Sequence, residues 1–344
     1  MAGALIISCG AAAVLAAALT GCLVRWQDRI RIMDVPNARS SHDSPKPRTG
    51  GIAIFLSLSF GYMAWKWPLG ALLHTAPGEA WVIGGAVAFF GLGLAEDILH
   101  LPEWLRLLVQ FGLSLTIAAW GPRLLVLGPP GGSWALPPGI SIALTAFWYT
   151  GFVNLFNFMD GIDGIAAGEA ALVGLFMALA SGIPGAMLVS AAAAGFLIYN
   201  REPSRIFMGD GGSYLLGYLL AVLCVVGSRT APFMVYVLFL GTFIADTTAT
   251  LIRRILRGED WFRAHRSHYY QKLTDLGFSH AQVCGINLGL TTLLGLSGLL
   301  YRSSGTTIQW ALVILWALGF GALHVAITRW DRSHKPRLEP RSQG

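Results

Sequence analysis

Long apolar runs separated by short polar segments fill this chain. They lie at roughly 3–24, 51–73, 80–97, 104–120, 140–159, 165–182, 184–200, 213–228, 231–252, 281–301 and 308–328. Each run is continuous rather than alternating with period two, which favours helices over a membrane barrel. The pattern predicts an all-α polytopic membrane protein with about eleven transmembrane helices. Little more than Ser181-Gly182-Ile183-Pro184-Gly185 separates the sixth and seventh runs. Merging these two would invert the orientation of everything after them. Composition agrees with the pattern: 54 % of the 344 residues are hydrophobic and 12 % are charged, against about 25 % charged in a soluble domain. Residues 1–328 read as one integral membrane domain, and 329–344 as a polar, Pro-containing tail expected to be disordered.

The connecting segments carry charge unequally. Arg25, Arg29, Arg31, Arg39, Lys46 and Arg48 fill the first, and alternate connections hold Arg106, then Arg201 and Arg205. Arg253, Arg254, Arg257, Arg263, Arg266 and Lys272 follow, and five more basic residues lie after 328. Twenty of the 24 basic residues thus fall on one side, leaving Lys66, Arg123, Arg229 and Arg302 on the other. Basic residues are retained in the cytoplasm, so the N-terminus is expected outside and the C-terminus inside, in the cell's inner (plasma) membrane. The net charge of +6 then faces anionic lipid headgroups and gives no reason to expect nucleic acid. The four cysteines lie in or beside apolar runs without metal-ligand spacing. Leu19-Thr20-Gly21-Cys22 resembles a lipoprotein cleavage box, but no basic segment precedes it, so 3–24 reads as a retained helix.

Polar residues interrupt this pattern at a few places, all on the expected cytoplasmic side. In Asn154-Leu155-Phe156-Asn157-Phe158-Met159-Asp160-Gly161-Ile162-Asp163-Gly164, two asparagines and two aspartates sit where an apolar run meets water. Positions 154, 157 and 160 are three apart and share a helical face. Such a stripe is costly unless it faces protein, water or a ligand; gluing neighbouring helices together is the plainer alternative. The third run ends in Glu96-Asp97, a carboxylate pair suited to a metal, a base or a helix-end ion pair. Lys46 between Pro45 and Pro47, and Arg48 directly after Pro47, are stiffly held cations suited to phosphate. Phe207-Met208-Gly209-Asp210-Gly211-Gly212-Ser213 is a Gly-rich turn whose single Asp can hold a metal near phosphate, with Ser213 placed to cap the next helix. Asp246 is an intramembrane carboxylate open equally to a structural or a substrate role. His265-Arg266-Ser267-His268 offers donors to a pyrophosphate, and it lacks the third or fourth ligand that zinc needs.

These stretches resemble, in order, the motifs of the polyprenyl-phosphate N-acetylhexosamine-1-phosphate transferases, glycosyltransferase family 4. The central stretch matches N-x-x-N-x-x-D-G-x-D-G-[LI]-A. Residues 34–51 match D-x-P-N-x-R-x-x-H-x-x-P-x-P-R-x-G-G, and 207–213 match F-x-G-D-x-G-S. Glu96-Asp97 stands where the family has D-D, and 265–268 resembles the H-x-S-H form of O-antigen initiators. The resemblance implies transfer of an N-acetylated sugar 1-phosphate from a UDP-sugar to polyprenyl (undecaprenyl) phosphate, with UMP leaving. It implies Mg²⁺, with Mn²⁺ as substitute, on Asp210 with Asn154, and Phe207 against the uracil. Asp97, before Glu96, is expected to accept the acceptor's proton or position its phosphate. Asn154, Asn157, Asp160 and Asp163 are expected to order the nucleotide and metal, and Lys46, Arg48, His265, Arg266 and His268 to bind substrate. A double displacement through a phospho-aspartate stays open, as does a homodimer. The competing reading is a secondary transporter with coupling carboxylates, which would place them near the bilayer midplane within inverted repeats.

Overall fold

A computed structural model describes residues 2–30, 32–34, 45–66, 78–259 and 266–334. His265, with Asn37, Arg39 and His42 of the first motif, lies outside the described residues. The elements in order are α1 (Ala2–Arg25), α2 (Gln27–Ile30), β1 (Met33–Asp34), β2 (Lys46–Pro47), α3 (Gly50–Lys66), α4 (Glu79–Leu99) and α5 (Glu103–Trp120). A small hairpin, β3 (Val126–Leu127) and β4 (Trp134–Ala135), leads to α6 (Pro138–Met159), α7 (Ile165–Ser181), α8 (Pro184–Asn200) and α9 (Gly209–Gly227). The chain ends with α10 (Phe233–Phe239), α11 (Gly241–Leu256), α12 (Tyr269–Asp275), α13 (His280–Ser303) and α14 (Thr306–His334). Both two-stranded pairs are antiparallel, with Met33 opposite Pro47 and Val126 opposite Ala135.

Helix α9 is the centre of the bundle. Its run from Tyr214 to Val225 is almost wholly buried, and Phe156, Phe89 and Tyr149 pack around it. The outer helices keep Leu, Ile, Val and Trp exposed, among them Ile7, Phe147 and Leu318. That is the expected surface of a protein whose solvent is lipid. Among the described residues six helices are long and apolar enough to cross a bilayer alone, and α10 and α11 together have the length and composition of a seventh, broken by a bend. Helices α7 and α8 are apolar but shorter, at 17 residues each. They remain two helices, turned by the left-handed Gly182 and by Pro184 at the start of α8.

Two expectations change. The ninth run is not one helix: α10 and α11 meet at Leu240 with a 79° bend. Apolar periodicity continues through such a break, so the sequence pattern does not show it. The last helix also continues to His334, six residues beyond the end of the eleventh run.

Candidate active site

Every described motif arrives at the same end of the bundle, where α4, α6 and α8 finish and α7 and α9 begin. The first turn of α9 forms the floor. Its N-cap is Met208, and Ser213 lies within the helix rather than capping it. The cap comes from another helix. Asp97, at the end of α4, accepts from the backbone N–H of Asp210 (2.9 Å, Oδ1) and of Gly211 (3.0 Å, Oδ2). Two otherwise orphaned N–H groups are thereby satisfied by a carboxylate at the helix's positive end. The approach is close enough that a Cβ on Gly93 would lie 2.2 Å from the Asp210 carbonyl oxygen. Asp97 is therefore buried and, with one backbone bond to each oxygen, holds the turn. Glu96 is engaged as well: Oε2 accepts from Leu101 N (2.6 Å), and Oε1 pairs with Arg106 (3.1 Å).

Asp210 points into the site from that turn. Asn157 Nδ2 donates to its Oδ1 (2.9 Å) and to Ser213 Oγ (2.8 Å). One turn back, Asn154 Nδ2 donates to Gln110 Oε1 (2.6 Å) and to the Thr150 carbonyl (2.8 Å). Both amide NH₂ groups are thus committed, which sets the amide orientation and leaves both side-chain carbonyl oxygens without a hydrogen bond among the described residues. Arg48 Nη2 lies 3.3 Å from Asp97 and 3.6 Å from Asp210. Arg106 Nη1 lies 3.8 Å from the other Asp210 oxygen. Two guanidinium groups therefore flank one carboxylate.

The turn after α6 separates the two remaining aspartates. Asp160 follows the helix directly, and its carboxyl makes no hydrogen bond or ion pair among the described residues. Burial and then the nearby Asp210 charge push it up to about 7, against the opposite pull of Arg48. Asp163 is the reverse case. It accepts from Ser204 Oγ (2.6 Å) and Ser204 N (3.0 Å), with Lys46 Nζ at 3.7 Å and His280 Nδ1 at 3.5 Å. Despite burial, the His280 and Ser204 hydrogen bonds and the Lys46 charge hold it well below the usual carboxylate range. Asp163 therefore staples three segments together. Lys46 also donates to Ser204 Oγ (2.8 Å) and lies 5.1 Å above the Phe207 ring. The half-exposed ring is held by its backbone, since Phe207 N donates to Pro47 O and Gly50 N donates to Phe207 O.

The last loop enters differently. His268 is buried, and its Nδ1 faces Asp246 Oδ1 at 3.1 Å. Asp246 also accepts from the N–H groups of Tyr269 and Tyr270, each at 3.0 Å. Of the two roles left open for Asp246, the structure shows the anchoring one. Arg266 turns away to Asp275 (2.9 Å) and lines a cavity of about 240 Å³ with Arg253, Arg257 and Lys272. Gln110 and Arg106 were not singled out as site residues from the sequence. They lie on α5, where a lone Gln or Arg in an apolar run carries no motif.

No three Asp, Glu, His or Cys side chains among the described residues form a ready metal cage. The donors present nevertheless suit Mg²⁺, which takes one or two carboxylates with carbonyl, water and phosphate oxygens. Asp210, Asp160 and the Asn154 and Asn157 carbonyls are such a set.

Comparison with known proteins agrees with this geometry. Residues 80–228 match the family model of glycosyl transferase family 4. A probable undecaprenyl-phosphate N-acetylglucosaminyl 1-phosphate transferase of Bacillus subtilis is 30 % identical, over 87 % of this chain and 85 % of the relative. A decaprenyl-phosphate N-acetylglucosaminephosphotransferase of Mycobacterium tuberculosis is 27 % identical, over 95 % and 90 %. The undecaprenyl-phosphate alpha-N-acetylglucosaminyl 1-phosphate transferase of Escherichia coli K12 is 24 % identical, over 85 % and 82 %. With that coverage and with its polar residues gathered at one end of a helical membrane bundle, the chain belongs to glycosyl transferase family 4 and is a membrane sugar-phosphate transferase.

Proposed function

We propose that this enzyme transfers an N-acetylated sugar 1-phosphate from a UDP-sugar to a polyprenyl phosphate, with undecaprenyl phosphate the first acceptor to test. N-acetylglucosamine is the first sugar to test, given the names of the relatives. The reaction takes place at the cytoplasmic face of the plasma membrane and starts a cell-envelope polysaccharide of the O-antigen kind. The observation that carries the reading is the convergence of Asn157, Arg48 and Arg106 on Asp210, at a turn capped by Asp97 and near enough to Asp160 for the two carboxyls to feel each other's charge.

An oxygen of the polyprenyl phosphate attacks the phosphorus bonded to the sugar. The bond from that phosphorus to UMP breaks, and UMP leaves with the electron pair. Arg48 and Arg106 lie beside Asp210 and meet the negative charge of the pyrophosphate. Mg²⁺ or Mn²⁺, held by Asp210, Asp160 and the two amide carbonyls, supplies charge neutralisation when bound. Asp160, whose carboxyl has no hydrogen bond or ion pair among the described residues, would meet the acceptor phosphate through the metal ion it helps to hold, while Asp97 holds the α9 turn. Phe207 offers a flat, half-open ring to the uracil.

Purified enzyme incubated with single UDP-sugars and undecaprenyl phosphate tests this by UMP release. At least one UDP-N-acetylhexosamine is expected to be consumed. Asp210→Asn is expected to lose about a hundredfold or more in kcat while keeping its melting temperature, on the scale of other losses of electrostatic stabilisation. Absence of transfer from every UDP-sugar, or full activity of Asp210→Asn, overturns the reading.

A further inference from the structure

Glu169 lies on α7, five residues past the Gly164 turn, and is fully buried. No basic side chain pairs with it among the described residues, and nothing in the proposed reaction uses it. A carboxyl group inside a bilayer-spanning bundle is costly and needs a reason. Its partners supply one. Thr242 Oγ1 donates to Oε1 (2.8 Å), while Thr291 Oγ1 (2.7 Å) and Asn287 Nδ2 (3.0 Å) donate to Oε2. The two threonine hydroxyls also meet each other at 2.9 Å. One side chain on α7 thus grips α11 and α13 together.

Thr242 stands in the first turn of α11, directly after the 79° break. A broken helix has lost the backbone continuity that would fix its direction, so side chains must set it. Asp246 is four residues on and shares a face with Thr242. From there Asp246 holds the Tyr269 and Tyr270 N–H groups and the His268 ring. Tyr270 OH in turn donates to Phe158 O (3.0 Å), two residues before Asp160. The hydroxyl fills the space over the next turn, where a Cβ on Gly161 would lie 2.0 Å from it.

We propose that Glu169 is a positioning residue: by fixing α11 beyond its break, it seats the 268–270 segment on the turn that carries Asp160. The functional consequence rests on the transferase reading above, whereas the seating itself does not.

Glu169→Gln preserves size and one acceptor oxygen for Thr291 and Asn287, while its NH₂ can donate to the Thr242 hydroxyl, which can turn to accept; it is expected to keep kcat within about threefold. Glu169→Leu is expected to lower kcat about tenfold or more and to change the KM for UDP-sugar little. Hydrogen–deuterium exchange supplies a readout that plain packing would not move. In Glu169→Leu the Tyr269 and Tyr270 amides should exchange about tenfold faster or more, because Asp246 no longer holds them in place. Loss of packing alone would instead speed exchange in α7 and α13. Combined with Tyr270→Phe, Glu169→Leu should cost less than the sum of the two single losses. Thr242→Val removes one donor only, and it should show the same exchange pattern if Glu169→Leu does not fold. Unchanged exchange at 269–270 in both variants, additive losses in kcat, or inactivity of Glu169→Gln equal to that of Glu169→Leu overturns the proposal. The exchange result stands on its own even if no UDP-sugar is turned over.

Discussion

The four aspartates of the site share a residue type and differ in what surrounds them. Asp97 binds backbone N–H groups, Asp163 binds a serine, a lysine and a histidine, Asp210 is flanked by guanidinium groups, and the Asp160 carboxyl has no hydrogen bond or ion pair among the described residues. The sequence presents all four as polar interruptions of apolar runs, which is why it cannot rank them. The order of roles depends on contacts with Ser204, Gly211 and Arg48, all far away along the chain. Asp163 allows a pH test at this scale. Its folded-state pKa lies below the ordinary carboxylate value of about 3.9. It therefore binds fewer protons when folded, and its contribution is complete above about pH 5. That contribution fades as pH falls through the ordinary value towards the depressed one. Asp163→Asn should destabilise the protein near neutrality by on the order of 2 kcal/mol, and the gap to wild type should close on acidification. Thermal unfolding in detergent from pH 7 to pH 3 measures this. A gap that stays constant as pH falls would show that the Lys46 and Ser204 contacts do not depend on the Asp163 charge.

Helices and their ends were legible to different degrees. The runs at 140–159 and 184–200 became α6 and α8 with nearly those bounds, because continuous apolar residues in lipid leave the backbone no other partner than itself. The Asn154-to-Gly164 stretch, the Gly-rich turn and the Lys46–Arg48 segment met where their spacing and charge implied. The break at Leu240 was not legible, since residues on both sides are apolar and the bend is set by packing. Glu169 was missed for a related reason: its partners Thr242, Asn287 and Thr291 come from other helices and form no local pattern. Close approach of α4 to α9 is what lets Asp97 cap the turn, and Gly93 permits it. Gly93→Ala should therefore push α4 off the Asp210 turn. The expected result is a loss of about 1–3 kcal/mol, the usual cost of overpacking, with a larger proportional loss of turnover than of folded protein. Gly91 has open space beside it, so Gly91→Ala serves as the control and should retain both. Equal behaviour of the two variants in melting and UMP-release assays would separate Asp97's cap from the helix approach.

At the scale of the whole molecule, the fold sorts charge along the bundle axis. Arg48, Arg106, Arg201, Arg205, Arg253, Arg254, Arg257, Arg266 and Lys272 stand at the site end. Lys66, Arg123, Arg229 and Arg302 stand at the other, beside the β3–β4 hairpin and the α13–α14 turn. Gly131 N donates to Gln309 Oε1 across those two connections, which shows that they share an end. The motifs and the basic residues were separate readings of the sequence, and the bundle brings them to one face. Basic residues near an anionic leaflet contribute about 1 kcal/mol each, and they resist translocation during insertion. The site end is therefore expected in the cytoplasm, where nucleotide sugars are made, and the hairpin end outside. Single cysteines in a background lacking Cys9, Cys22, Cys224 and Cys284 test this directly. Ser133→Cys lies in the exposed hairpin and Arg201→Cys in the exposed turn after α8. An impermeant maleimide applied to intact cells (spheroplasts, where an outer membrane intervenes) should label position 133 and spare position 201. Permeabilisation should expose 201 without changing 133. The reverse pattern would invert the protein in the membrane and put its carboxylates on the side away from any cytoplasmic donor. Labelling at both positions in intact cells would mean that α7 and α8 do not turn at 181–185 to cross the membrane separately.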